Sequence, residues 1–511
     1  MILVLAEAEK NTKNAADPGN DVVGLALLSG ILLALCYAPV SWGFLGWIAL
    51  VPLLLSLESA NSRATALARG FACGFVFFLF SLHWVIHVDF LAWPSLVLPS
   101  SLFMMLFAWT VYEGRSIKNP LLKIFWPALA WMSCEILRSE IPVFGFGWNL
   151  LAFSQSRTLP VLQSANVFGA YGLGFVMALV NVCIRPRNDK RIRFLLLVII
   201  FGGLFFYGNR EMEKPETAKG KIQISVLQGN IPQSVKWATM ARGTILETYL
   251  KLTELASFDR PGLIIWPEAA FPGYFNRDTE SPRVQALIQK IGIPLLIGAP
   301  HLETDDIAFN SAYLMDGEGK IRERYDKKNL VPFGEYVPLK RIFGFLERFA
   351  YSLGVSDFSA GKTFTVFRLF DHEIAFSVLI CFEDTFSRLA RGFVDRGAQF
   401  LVVMTNDAWF ERSAAPYQHL DASIFRAVEN GVPVVRAANT GVSAFISPKG
   451  EVYARVRNKK GEDIFSLGKE TAPVVLREGQ TTPFRQGGWI FPYAGSALFG
   501  LLFLILKAKG N

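Results

Sequence analysis

Two hydrophobic patterns divide the chain. From residue 22 to 209, and again from 486 to 506, apolar residues run almost unbroken in stretches of the roughly 20 residues that a helix needs to cross a bilayer. This pattern predicts spans near 22–38, 42–57, 67–87, 91–112, 122–139, 159–184, 193–209 and 487–506, eight in all. The first two are short and separated only by "APVSW", so they are read as two crossings with a re-entrant hairpin as the alternative. Between 210 and 485 the pattern changes to short runs bounded by turn residues. "KIQISVLQ" alternates with period two, "PRVQALIQKIG" repeats with helical spacing, and "IPLLIGAP" and "AQFLVVMT" read as buried strands. A helix is expected over 236–257, two strands joined at "FDHE", and helices at "TFSRLARGFVDRG" and "YQHLDASIFRAVENG". Strands and helices alternate, which predicts a layered α/β domain with sheet between helices. The expected organisation is a seven-helix membrane part (1–209), a linker (210–220), a soluble domain (221–485), and a last span with its tail (486–511).

Charge orients this plan. Arg63 and Arg69 lie between the second and third spans, Arg115, Lys118 and Lys123 between the fourth and fifth, Arg185, Arg187, Lys190, Arg191 and Arg193 between the sixth and seventh, and Lys507 and Lys509 after the last. The alternate loops are nearly bare of basic residues. Short loops rich in Lys and Arg stay cytoplasmic, so both termini are expected inside and residues 210–485 outside. In a Gram-negative envelope this means an inner-membrane protein with its soluble domain in the periplasm. Twelve of the basic residues sit in those loops and the tail, so the net charge of +8 reflects topology and argues against nucleic-acid binding. With 52% hydrophobic and 18% charged residues, the composition is that of a membrane protein. The opening "MILVLAEAEK" has too short an apolar run for a secretory signal, so the first span is expected to direct insertion.

Of the five cysteines, four lie in apolar spans and only Cys381 falls in the soluble part, where no internal disulfide can form. Cys381 ends a buried strand in "VLICFEDTFSRLARGF", and a helix is expected directly after it. Glu383 and Asp384 follow at once, and negative charge disfavours a thiolate, so an activating base must come from elsewhere. Glu268 in "IIWPEAAF" also caps an apolar strand, where desolvation favours general-base behaviour. Lys327 in "RYDKKNLVPFGEYVP" closes a third strand. An acid, a lysine and a cysteine at three strand ends suggest one constellation.

"WPE", "YDKKNLVPFGE" and "CFED", in this order, resemble the Glu-Lys-Cys triad of the nitrilase superfamily. The eight-span setting with "QGNIPQSVKW", "LVPFGEYVP" and "TNDAWF" resembles more closely its apolipoprotein N-acyltransferase branch. Departures are Asn329 where many relatives carry His, Gly147 where Pro is common, and Phe382 where Tyr is common; none touches the triad. The resemblance implies an αββα sandwich and a two-step acyl transfer. A phospholipid, with phosphatidylethanolamine the expected donor, acylates Cys381, and the α-amino group of a diacylglyceryl-cysteine on an apolipoprotein takes the acyl chain. Glu268 would be the base, and Lys327 with the Phe382 N–H would stabilise the oxyanion. Glu335 and Glu383 would support them, and Trp237, Trp409 and Tyr336 would contact substrate. No cofactor, no metal and a monomer are expected.

Other readings stay open. A membrane-tethered amidase would use the same triad with water in the second step, and a non-catalytic lipid-binding scaffold would not need it. Ile342, Phe343, Phe345, Leu346 and Phe349, interleaved with charges, suit a lid dipping into the bilayer or a helix packed on its own domain. "FPGYF" (271–275) and Trp409-Phe410 are further lid candidates. Glu135 and Arg138, one helical turn apart, are read as a structural pair within the membrane. His83 and His87 are also one turn apart, but no third ligand for a metal is apparent.

Overall fold

The computed structural model describes residues 18–185, 190–215, 218–236, 239–339, 357–369, 374–477 and 481–509. The membrane part is built from α1 (Pro18–Leu35), α2 (Val51–Glu58), α3 (Arg63–Ser81), α4 (Ala92–Glu113), α5 (Pro120–Glu140), α6 (Ala165–Ile184) and α7 (Lys190–Glu213). Among the described residues six helices are long and apolar enough to cross a membrane: α3 to α7, and the last, α12 (Ile490–Lys509), with the turn before it. The expected count of eight is not confirmed. The apolar stretch of α1 is Val22–Leu35, and Gly43–Glu58 breaks into a 3-10 turn followed by α2, so both are shorter apolar segments than the other six. "APVSW" and the glycines at 43 and 46 cause the break: Gly43 packs on the Ser154 carbonyl and Gly46 on Met177, with no space for a side chain at either.

Among the described residues the soluble part holds twelve strands in two six-stranded sheets. The first contains β1 (Ala218–Gln228), β2 (Leu263–Ile265), β3 (Leu295–Thr304), β4 (Ile307–Met315), β5 (Ile321–Asp326) and β12 (Gly468–Arg477), in the order β12-β1-β2-β3-β4-β5. The second contains β6 (Phe367–Leu369), β7 (Ile374–Ile380), β8 (Phe400–Thr405), β9 (Val434–Ala438), β10 (Ala444–Ile446) and β11 (Val452–Arg455), ordered β11-β10-β9-β8-β7-β6. In each sheet the central strands are parallel and the flanking ones antiparallel. The sheets meet face to face, β1 against β9 and β4 against β7. Helices α8 (Arg242–Ser257) and α9 (Ser281–Ile291) lie over the first sheet, and α10 (Ser387–Val394) and α11 (Ala415–Asn430) over the second, giving the nitrilase-type αββα sandwich.

The parallel strands β8 and β9 are buried along their whole length, as expected for strands covered on both faces. Their carboxyl ends, with those of β2 and β7, lead into the loops that carry the candidate chemistry. One polar side chain ties this sandwich to the membrane helices. The buried Gln418 of α11 accepts the indole N–H groups of Trp84 (3.0 Å) and Trp148 (2.8 Å), and donates to the carbonyls of Ala38 (2.9 Å) and Ser81 (3.1 Å).

Candidate active site

Cys381 follows β7 at φ 55°, a left-handed conformation that a non-glycine residue adopts at some strain, as functional turns often require. The α-helix expected directly after it begins only at Ser387; residues 381–385 form a 3-10 turn instead, so the thiol does not sit at an α-helix N-terminus. Glu383 shapes this turn. It is fully buried and accepts N–H bonds from Ile380 (2.8 Å), Lys328 (2.7 Å) and Asn329 (3.0 Å), plus the Tyr325 hydroxyl at 2.8 Å. One carboxylate thus joins the cysteine turn on the second sheet to the turn after Lys327 on the first. Glu383→Ala leaves one buried and two part-buried N–H groups without their acceptor and is expected to destabilise the protein by about 2–3 kcal/mol. The measurement is the thermal unfolding midpoint; an unchanged midpoint would count against this role.

Glu268, 8% exposed, sits just beyond β2. Its Oε1 accepts from Asn310 Nδ2 at 2.8 Å and faces Lys327 Nζ at 3.5 Å, while Oε2 accepts the Asn406 main-chain N–H at 2.8 Å. Asn406 follows β8, so Glu268 is gripped from both sheets. Lys327 follows β5, is 1% exposed, and donates to both Glu335 oxygens, at 3.0 and 2.9 Å. Burial alone would lower its pKa, but Glu335 first, then Glu268 and Cys381, raise it well above an ordinary lysine, so it stays charged. Glu335 also accepts from Asn310 (2.8 Å) and from the Val331 N–H (2.8 Å), which closes its loop.

The Cys381 thiol is pushed up strongly, by burial first and then by the charges of Glu268 and Asp407, against the opposing pull of Lys327. At rest it is therefore protonated, and attack requires a base. Thr405 Oγ1 lies 3.4 Å from Sγ and 2.9 Å from Asp407 Oδ1. With its one proton given to the carboxylate, the hydroxyl is free to accept the S–H.

Beneath the cysteine lies a fully buried charge cluster. His419 Nε2 is 2.9 Å from Asp384 Oδ1, and Nδ1 is 3.0 Å from Asp407 Oδ1. Arg436 reaches Asp384 Oδ2 and Asp407 Oδ2, both at 3.1 Å. Ser423 donates to Asp384 at 2.5 Å, and His419 Nε2 lies 3.3 Å from the Cys381 carbonyl. Burial and the neighbouring guanidinium oppose a charged imidazole. Asp384 and Asp407 overrule them and hold the His419 pKa at about 9. The Trp148 ring packs 5.2 Å from the His419 ring, so the docking of the membrane loop extends to the floor of the site.

The structure thus brings together Glu268, Lys327, Cys381, Glu335 and Glu383. Phe382 is buried, its ring stacked 6.2 Å from Phe146 of the membrane part and edge-on to Phe386 at 5.1 Å. Tyr336 is half-buried beside Glu335, its carbonyl accepting the Phe333 N–H at 2.8 Å. Trp409 is partly buried in the turn Asp407–Phe410, and its neighbour Phe410 packs on Trp84 (4.6 Å) and Trp148 (6.4 Å). Trp237 and the amphipathic stretch 340–356 lie outside the described residues. "FPGYF" is not a lid: Phe271 and Phe275 are buried and pack edge-on at 5.0 Å, with Tyr274 exposed between them. Glu135 and Arg138 form no mutual ion pair among the described residues. Each instead holds the loop after α5, Glu135 accepting from the Leu151 N–H (2.7 Å) and Arg138 donating to the Phe146 carbonyl (3.0 Å). His87 faces Glu411 at 3.1 Å and His83 packs edge-on to Trp93. No cluster of three or more metal-ligating side chains is found among the described residues.

Sequence reasoning missed Asn310, Asn406, Asp407, His419 and Arg436. A signal was present for two of them: Arg436 interrupts the apolar strand "VPVVRAAN", and Asp407 follows a fully apolar one.

Residues 29–183 match the family model described as apolipoprotein N-acyltransferase N-terminal domain, and residues 223–466 match that of carbon-nitrogen hydrolase. An apolipoprotein N-acyltransferase from Geobacter metallireducens is 35% identical over 498 residues, covering 92% of each chain. Another, from Gloeobacter violaceus, is 31% identical over 506 residues and 93% of each chain. Among solved structures, a cysteine-to-serine variant of a nitrilase-superfamily amidase from Nesterenkonia AN1 aligns with TM-score 0.38 at 19% identity, over 52% of this chain and 93% of its own.

Proposed function

This chain belongs to the apolipoprotein N-acyltransferase family and is a membrane-associated acyltransferase of lipoprotein biosynthesis; from that premise we propose that it carries an acyl chain from a phospholipid to an apolipoprotein through a thioester on Cys381. The supporting observation is that Glu268, Lys327 and Cys381 come from three strand ends on two sheets into a space where the first two charges act on the thiol.

The steps follow from these positions. Glu268 takes the Sγ proton as sulfur bonds to the ester carbonyl carbon of the phospholipid. The oxyanion is met by the Lys327 ammonium and the Phe382 N–H. On collapse the C–O bond breaks, and the departing alkoxide takes the proton from Glu268 and leaves as a lysophospholipid. The neutral α-amine of the diacylglyceryl-cysteine then attacks the thioester. Glu268 accepts the amine proton and delivers it to sulfur as the C–S bond breaks. Phosphatidylethanolamine is the proposed donor. The distribution of basic loops supports reading the soluble domain as lying on the periplasmic face of the inner membrane, and the enzyme is read as a monomer.

The membrane dependence of the site favours this reading over a tethered amidase. Trp84 and Trp148 are anchored through Gln418 next to His419, and Phe410 and Phe382 pack on rings from the membrane part. A site for a small soluble amide has no need of a floor completed by membrane loops. The test is intact-protein mass spectrometry of the detergent-purified enzyme after incubation with phosphatidylethanolamine. A one-acyl, hydroxylamine-labile adduct is expected on the wild type and absent from Cys381→Ala. No adduct with intact lipid would transfer the assignment to the amidase chemistry.

A further inference from the structure

A second buried lysine stands at the same centre. Lys236 closes the turn Gln233–Lys236, which Asn406 tethers by donating from Nδ2 to Gln233 Oε1 at 3.0 Å. Its side chain is 3% exposed, and Nζ donates to the Glu268 main-chain carbonyl at 3.3 Å. Burial pulls its pKa down to about 8, and the charges of Glu268 and Cys381 work against that pull. Asn406 is thereby shared: its main-chain N–H holds the Glu268 carboxylate, and its side chain holds the turn that delivers Lys236.

The charge count around the thiol gives this ammonium a task. Lys327 is held by two carboxylates, Glu335 at 2.9 Å and Glu268 at 3.5 Å. Arg436 and His419, the cations behind Cys381, are matched by Asp384 and Asp407. Without Lys236, the carboxylates of Glu268, Glu335 and Glu383 outnumber the one ammonium of Lys327 and leave a net negative charge in a largely buried site. Proton transfer from Cys381 to Glu268 moves that charge to sulfur, and attack moves it to the oxyanion, but neither step removes it. An uncompensated buried charge opposes each of these states.

We propose that Lys236 is a positioning cation that offsets the negative charge of the Glu268–Cys381 pair, so that the thiolate and the oxyanion form with a second ammonium at hand. The inference rests on the reading of Glu268 as base and Cys381 as nucleophile. It gives the motif "QGNIPQSVKW" an electrostatic role through its lysine.

The test is the pH dependence of Cys381 alkylation by iodoacetamide in the full-length, detergent-solubilised protein, read by intact mass with Cys381→Ala as the blank. Lys236→Met is expected to move the midpoint up by about one pH unit or more, since losing a nearby cation favours the neutral thiol. It is also expected to slow thioester formation from phosphatidylethanolamine at least about tenfold. Lys236→Arg should keep the wild-type midpoint. An unshifted midpoint in a folded Lys236→Met protein overturns the proposal. Should that variant unfold, the double variant Lys236→Met/Glu335→Gln, which removes one charge of each sign, is expected to fold and return towards the wild-type midpoint. A midpoint for the double variant that stays at least one unit high overturns the proposal equally. A wild-type profile indifferent to Glu268→Gln would indict the base assignment itself. A profile sensitive to Glu268 and indifferent to Lys236 would sink the lysine alone.

Discussion

Glu268→Gln is expected to fold normally and to form the Cys381 thioester about a thousandfold more slowly, in the range lost with a positioned general base. The amide keeps the size of the carboxylate, and its oxygen can still accept the Asn406 N–H now at 2.8 Å from Oε2. Its nitrogen then faces Asn310 Nδ2 and Lys327 Nζ, donors that meet Oε1 at 2.8 and 3.5 Å. Lys327 would retain Glu335 and its charge. What disappears is the carboxylate proposed to take the Sγ proton from a thiol that burial keeps protonated. Because the same group accepts the amine proton in the second half-reaction, an acyl-enzyme formed slowly by this variant should also persist when acceptor is added. Single-turnover mass spectrometry resolves the two steps. Thioester formation at the wild-type rate would remove Glu268 from the role of base. A slow first step followed by rapid transfer would confine it to that step.

The candidate residues Glu268 and Cys381 stood out because each follows an apolar strand, whereas Lys327 follows the charged strand Ile321–Asp326 and was marked only by its place at a strand end. The alternation of strands and helices predicted a layered α/β domain, the two-sheet sandwich came with the resemblance, and the long apolar helices followed from hydropathy. Less legible was everything held by contacts distant in sequence. Glu383 was expected to support the site, but nothing in the local pattern shows that it is fully buried, held by Lys328, Asn329 and Ile380, which donate to it from two sheets. The Glu135–Arg138 spacing suggested a pair, but the backbone of the loop after α5 takes one Glu135 oxygen and the Arg138 guanidinium, and one-turn spacing says nothing about such a loop. Gln418, in "YQHLDASIFRAVENG", carries the docking of the membrane helices with no more sequence signal than any helical glutamine. The count of eight spans is not confirmed where the chain bends: glycines 43 and 46 and the "APVSW" turn leave the first two apolar stretches as shorter helices, Val22–Leu35 and Gly43–Glu58.

Arg436→Met is expected to be among the most destabilising single changes in the soluble domain, lowering stability by about 3–5 kcal/mol, the usual penalty for breaking a buried ion pair from one side. Arg436 and His419 together neutralise Asp384 and Asp407, all four at most 1% exposed. Removing the guanidinium leaves two buried carboxylates facing one imidazolium. The same cluster fixes a pH dependence. The His419 pKa is raised to about 9 in the folded protein, so its contribution to stability is complete below the unfolded value near 6.5. That contribution falls as pH rises towards about 9 and is gone above it. The thermal midpoint of the wild type should therefore decline from pH 6.5 to 9. In Arg436→Met the guanidinium, which lies 2.8 Å from His419 Nδ1 and opposes its charge, is gone. The imidazolium should then persist to higher pH, so the variant starts from a lower midpoint and its decline is displaced upward. Thermal unfolding of both proteins across pH 6 to 10 measures the two effects together. Parallel curves, differing only in height, would show that His419 does not titrate against these carboxylates.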